Sequence, residues 1–247
     1  MIVFFTTSTN SDIQETQSRC IKTFFPQSKH IIIDGRGGWF SIWYQWLNYA
    51  KDNYADWYVH IDEDCFITSK DEVESLIQLM IEKDYDIAGT PDGCHEYRGG
   101  NYMALNSFFM IMNRKCIDAW YNRKYIPQFK KEWIEEYPFE KKNTYTFDYD
   151  MEFGSSGKPV GEIWKPGTEP YYDFMWVLKD NNCKFLYIEP IFDKEFQTTN
   201  LLNNTVIHMW HQRDRNVDYI VSTAHTMTNK QRFDGVIKKV NKIIDEY

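Results

Sequence analysis

The chain has 247 residues, 43% of them apolar and 17% aromatic, which is enough to bury the core of one α/β domain. Its formal net charge of −8 argues against a protein whose main work is holding duplex phosphates, because that binding is dominated by Lys and Arg. The five cysteines (Cys20, Cys65, Cys94, Cys116 and Cys183) are isolated and odd in number, and no apolar run has the length of a membrane span, so a disulfide scaffold, a C-x-x-C zinc site and integral membrane contact are all excluded and a cytoplasmic location is expected.

The first half alternates strand and helix signals. Ile2 to Phe5 is a short apolar run, read as a first strand and not as a signal peptide. Thr6-Thr7-Ser8 follows it. A helix is predicted from Ser11, its inward stripe running through Ile13, Gln17, Cys20, Ile21 and Phe24 until Pro26 stops it. His30 to Ile33 is a second strand that ends on Asp34-Gly35-Arg36. A helix with Trp39, Trp43, Trp46, Leu47 and Ala50 on one stripe comes next. Trp57 to Ile61 is a third strand running into Asp62-Glu63-Asp64. Ser69 and Glu72 have the spacing of a capping box before a helix carrying Val73, Leu76, Ile77 and Met80. Strands are predicted at 86–89 and 105–112. This alternation implies an α/β fold with a mainly parallel sheet flanked by helices, in a single domain.

The second half is less regular. Residues 114–137 read as two helices broken near Pro127, and 138–170 as an irregular stretch of the kind that forms binding loops. A helix over 172–181, strands at 184–188 and 205–210, and an amphipathic C-terminal helix complete the chain. Residues 1–112 are the expected nucleotide-binding half. Residues 113–247 are the expected acceptor-binding half with the C-terminal helix.

Asp62-Glu63-Asp64 is the strongest chemical signal. In a continuing strand, Asp62 and Asp64 would share one face and Glu63 the other. They stand where an apolar strand ends, the edge at which open α/β sheets bind ligands. Two converging carboxylates repel unless a cation joins them, and a diphosphate can complete the shell of a hard divalent ion. Further along, Ile207-His208-Met209-Trp210-His211-Gln212-Arg213 offers imidazoles three residues apart, of which His208 is preferred over His211 as a third ligand. A mixed carboxylate and imidazole shell suits Mn²⁺, with Mg²⁺ as the alternative. Arg213 or Arg215 could meet phosphate oxygens, as could Arg98 in its glycine-flanked loop. Thr6, Thr7, Ser8, Asp34 and Arg36 follow the first two strands at the same sheet edge, where a base and ribose could be held. Asp173 lies near a helix start, where a carboxylate could take a proton from a hydroxyl or simply cap the helix. Asp148, Asp150 and Glu152 form a second acidic group in the irregular stretch.

The order of these pieces resembles the GT-A class of glycosyltransferases, especially those related to family 2. The similarity is loose and spans most of residues 1–215. It rests on the T-T-S loop, Asp34, the D-x-D of Asp62 and Asp64, the helix–strand segment from Tyr171 to Ile188, and the late H-x-W-H. It implies that Asp62 and Asp64 bind the metal and donor diphosphate. It also implies that the N-terminal loop and Asp34 contact the nucleoside of a nucleotide sugar, usually a UDP sugar, and that Asp173 is the base of an inverting transfer. The acceptor would be a saccharide, a glycoconjugate or a modified nucleobase. The chain departs from the family by having Tyr172-Asp173 where Glu-Asp is usual, no arginine in that helix, and Asn182 in place of its glycine. A phosphodiester hydrolase and a non-catalytic carbohydrate- or nucleotide-binding module are the competing readings.

Overall fold

The computed structural model describes residues 1–9, 11–36, 39–92, 103–124, 170–210 and 226–247. Two sheets organise them. The larger has six strands in the order β2 (Lys29–Asp34), β1 (Ile2–Ser8), β3 (Trp57–Ile61), β6 (Leu105–Asn113), β5 (Ile87–Pro91) and β7 (Phe185–Tyr187). It is mainly parallel: β6 alone runs against its neighbours β3 and β5. The smaller sheet is antiparallel throughout, in the order β4 (Cys65–Ile67), β10 (Val206–His208), β9 (Thr198–Leu201) and β8 (Ile191–Asp193).

Helices cover both faces of the larger sheet, and strand alternation divides the core accordingly. Phe4, Val59, Ala88 and Ile111 point to one side. There they pack with α1 (Ser11–Phe24), α3 (Lys70–Lys83), α6 (Asn229–Glu246) and the smaller sheet. Val3, Phe5, Tyr58, Ile87 and Met110 point to the other, against α2 (Trp39–Asp52), α4 (Arg114–Asn122) and α5 (Pro170–Asp180). The apolar stripes expected on α1 and α3 are buried as the periodicity requires, as are Trp43, Trp46, Leu47 and Ala50 of α2. This is the mixed, mainly parallel α/β architecture that the sequence leads one to expect.

Two local expectations need correction. Ser69 does precede α3, but its side chain makes no capping bond. Glu72, which would have reached back to it, is instead engaged by the amide of Asn203 at 3.3 Å. A full capping box opens α6, where Thr228 accepts from the Gln231 backbone and Gln231 accepts from that of Thr228. The second correction concerns the acidic triplet: β3 ends at Ile61, so Asp62-Glu63-Asp64 is a turn between strands of the two sheets and not a strand extension.

In the order β2-β1-β3, the chain leaves β1 towards one neighbour and returns on its other side. The crevice between the ends of β1 and β3 is therefore the topological switch point, the place where such sheets bind ligands.

Candidate metal centre

The turn closes with Cys65 N donating to Asp62 O at 3.1 Å. Its backbone is held on three more sides. Asp62 N donates to Phe108 O of β6 at 2.9 Å, and Met209 N donates to Asp64 O at 3.0 Å. From α1, Gln17 Nε2 reaches the carbonyls of Asp62 and Cys65. Gln17 is fully buried and is itself oriented by Thr6, whose hydroxyl donates to Gln17 Oε1 at 2.8 Å. His30 Nε2 lies 3.0 Å from the same hydroxyl. Gln17 was legible as a polar residue in an apolar helical stripe, which is the mark of a buried hydrogen-bonding role.

Glu63 turns away from its neighbours, back towards β1. Its carboxylate accepts from Ser8 Oγ, from Thr9 N at 2.7 Å and from Thr9 Oγ1 at 2.9 Å. The close approach depends on Gly35, whose N–H donates to Ser8 O at 2.7 Å. A Cβ at that position would lie 2.8 Å from the Thr9 methyl and 3.0 Å from Ser8 O. Thus the middle acid ties the turn to the β1 loop, while Asp62 and Asp64 are left to face a third group.

That group is His208. Cys65 and His208 are register partners in the β4–β10 pair, so the imidazole stands beside Asp64, with Nε2 3.3 Å from Oδ1. One ligand atom from each of Asp62, Asp64 and His208 lies within 4.8 Å of the others. It is the one such group of three among the described residues. Asp64 and His208 are buried, and Asp62 is partly open. Phe108 stacks on the imidazole with centroids 4.1 Å apart and planes at 7°, and Trp210 packs edge-on at 4.3 Å. His208 Nδ1 is buried with no hydrogen-bond partner among the described residues, so the ring is oriented by aromatic packing and by its Nε2 contact. Two carboxylates and one imidazole, converging from a turn and a neighbouring strand, fit a divalent cation that tolerates mixed oxygen and nitrogen donors.

The remaining expected site residues are distributed around this centre. Thr6 faces α1 and supports the turn through Gln17, Thr7 pairs in register with Ile33, and Ser8 holds Glu63. Asp34 is gripped by Arg36 through N, Nε and a terminal nitrogen at 3.0, 2.8 and 2.7 Å, and this pairing holds its carboxyl down to about 2. Both residues are exposed, Asp34 as the last residue of β2 and Arg36 just beyond it. Asp173 lies in the first turn of α5, half-buried, with the Tyr44 hydroxyl bonded to it and Arg123 nearby. Burial raises its pKa above the usual carboxylate value, against the lowering effect of both neighbours. Tyr44 stacks on Trp120, and the Arg123 guanidinium lies 3.6 Å over the same ring. Arg98, His211, Arg213, Arg215, Asp148, Asp150, Glu152 and Cys94 lie outside the described residues. The other four cysteines are buried and free.

No family model matches the chain, and no curated protein matches it in sequence. Among solved structures, the chain is similar to a glycosyltransferase involved in the glycosylation of the major capsid of PBCV-1. That match has 9% identity and a TM-score of 0.41, and covers 96% of this chain and 98% of that one. It is also similar to a protein from STIV, at 13% identity and a TM-score of 0.39, over 91% and 98% of the two chains. A third is the mannosyltransferase PcManGT from Pyrobaculum calidifontis, in complex with GDP-Man and Mn²⁺, at 8% identity and a TM-score of 0.36, over 47% and 45%. Likenesses this distant leave the chemistry to be read from the site itself. No helix among the described residues is long and apolar enough to cross a membrane.

Proposed function

We propose that the chain transfers a sugar from a nucleotide-sugar donor, by preference a UDP sugar, to an acceptor hydroxyl, with Asp62, Asp64 and His208 holding Mn²⁺ or Mg²⁺. The observation that carries this reading is the convergence of those three ligands at the switch point of a mainly parallel sheet. A cation held there supplies Lewis acidity to the departing nucleoside diphosphate. The β1 loop and the Asp34–Arg36 pair lie along the same edge and are assigned to the nucleoside. Arg98 and Arg213 are assigned to the donor's phosphates.

The transfer is inverting in this reading. Asp173 accepts the proton of the acceptor hydroxyl as that oxygen bonds to the anomeric carbon, while the bond from that carbon to the diphosphate breaks. α5 precedes β7, which is parallel to β5, so its first turn lies towards the edge where the parallel strands end. The acceptor is a saccharide, a glycoconjugate or a modified nucleobase bound by the half of the chain beyond residue 112. Buried free thiols suit the reducing cytoplasm.

The test is a screen of nucleotide sugars by thermal shift and turnover with Mn²⁺, run in parallel on Asp62→Ala and Asp64→Ala. Metal-dependent donor hydrolysis or transfer in the wild type, lost in folded variants, supports the reading. Full activity in either variant, or turnover of a phosphodiester without any nucleotide sugar, would overturn it.

A further inference from the structure

Another buried carboxylate lies just past the end of β5. Asp92 is fully buried, and its N–H donates to Ala104 O at 2.8 Å. Among the described residues, its side chain receives three donors. Asn106 Nδ2 and the Tyr171 hydroxyl bond Oδ1 at 2.5 and 3.0 Å, and the Tyr172 hydroxyl bonds Oδ2. A carboxylate taken out of water is costly unless its oxygens are satisfied in this way.

The donors come from two different places. Tyr171 and Tyr172 open α5, immediately before Asp173. Asn106 belongs to β6, and its own Oδ1 accepts from Phe108 N at 3.1 Å. Phe108 is the residue whose carbonyl receives Asp62 N and whose ring stacks on His208. One carboxylate therefore joins the first turn of α5 to the strand that backs the three-ligand cluster.

The geometry is more restrictive than apolar packing would be. Consecutive helical residues point about 100° apart around the axis, at 3.6 residues per turn. Two hydroxyls that far apart, both reaching one carboxylate, fix the rotation of α5 about its axis as well as its height along the sheet. Charge-assisted hydrogen bonds are short and directional, so they also resist sliding. The direction of Asp173, the next residue, follows from that rotation.

We infer that Asp92 is a positioning residue, which sets the orientation of the α5 first turn, and of Asp173 with it, relative to the Asp62–Asp64–His208 cluster. Its effect on turnover rests on the sugar-transfer reading, whereas its effect on α5 does not.

The experiment compares wild type, Asp92→Asn and Tyr172→Phe. Both variants keep side-chain volume nearly unchanged and cut the clamp from opposite ends. Amide hydrogen exchange over 171–176 is expected to accelerate about tenfold in Asp92→Asn, with β1 and β3 unchanged, as local opening would give. In turnover assays, kcat should fall about 100-fold, the effect of misplacing a reacting group by roughly an ångström, while the donor KM stays within about threefold. Mn²⁺ affinity should likewise stay within about threefold of wild type. Tyr172→Phe should move the same quantities in the same direction by less. In an Asp173→Asn background, Asp92→Asn should cost less than about threefold more, because residues acting as one unit are not additive.

Unchanged exchange in α5, a loss of Mn²⁺ affinity equal to the loss in kcat, or full additivity with Asp173→Asn would each overturn the assignment. If the wild type turns over no nucleotide sugar, the sugar-transfer reading fails, and the exchange measurement still decides whether Asp92 fixes α5.

Discussion

His208 Nε2 stands 3.3 Å from Asp64 Oδ1 because the β4–β10 register places His208 opposite Cys65, the residue after Asp64. Their partnership is thus set by sheet pairing, and a cation that bridges them should stabilise that pairing. Binding to the folded state alone adds about 2.7 kcal/mol when the free ion is at roughly 100 times its Kd. For a chain of this size that corresponds to a rise in Tm of about 5–10 °C. Differential scanning fluorimetry with and without Mn²⁺ is expected to show this rise in the wild type, its reversal by chelator, and its loss in His208→Ala and Asp64→Asn.

Glu63 contributes differently, although it lies between the two proposed ligands. Its carboxylate accepts three hydrogen bonds from Ser8 and Thr9, and it faces away from the cluster. Glu63→Ala leaves those donors behind and frees the turn from β1. A loss of about 1–3 kcal/mol in stability is expected, read from urea unfolding, with weakened but not abolished Mn²⁺ binding. Gly35→Ala should act in the same direction, since its Cβ would press on Thr9 and Ser8. If Glu63→Ala abolished binding as completely as Asp64→Ala, Glu63 would itself be a ligand.

The fold and the centre were legible in the sequence to different depths. Apolar periodicity located the strands of the larger sheet and the inward stripes of α1, α2 and α3, because those elements bury hydrocarbon. It did not locate β8 and β9. Thr198-Thr199-Asn200 is buried through hydrogen bonds among polar groups, and a pattern keyed to apolar residues does not register it. The convergence of Asp62 and Asp64 was anticipated from strand alternation, yet a turn that follows the expected end of β3 at Ile61 produces it. His208 was legible as a type and position but not as a neighbour, because pairing register is a long-range property. The partners of Gln17 and the role of Asp92 were not legible, since each depends on elements distant in sequence.

One buried and one partly buried histidine give the fold a pH dependence. Burial lowers the pKa of His60 and of His30 from the usual 6.5 to about 4. His60 packs against Trp43 and Trp46, and its Nδ1 lies 2.7 Å from Ser107 O. Because the folded-state values lie below the unfolded ones, the unfolded chain binds more protons between pH 6.5 and pH 4. Stability is therefore full above about pH 6.5 and is lost as the pH falls towards 4, by up to about 3 kcal/mol for His60. Thermal unfolding across this range should show Tm falling with pH. His60→Phe should flatten that fall, and an equally steep fall in this variant would remove His60 as a cause.

Tyr44 and Asp173 supply the sharpest test of the proposed base. Burial lifts the Asp173 carboxyl above its usual range, and the hydrogen bond from Tyr44 opposes that shift. Burial together with the nearby Asp173 charge pushes the Tyr44 phenol up to about 12, so it remains a donor throughout the working range. A general base must be ionised, so the acid limb of the kcat profile should lie above the usual carboxylate range. Removing the donor in Tyr44→Phe favours the protonated acid and should move that limb to higher pH. Activity lost at low pH in that variant should return as the pH rises. Asp173→Asn should lower kcat about 10²–10⁴-fold at every pH, the usual contribution of a positioned base. A Tyr44→Phe profile that superimposes on the wild type, beside an Asp173→Asn variant that keeps its turnover, would assign the proton transfer elsewhere and leave Asp173 a helix-capping acid.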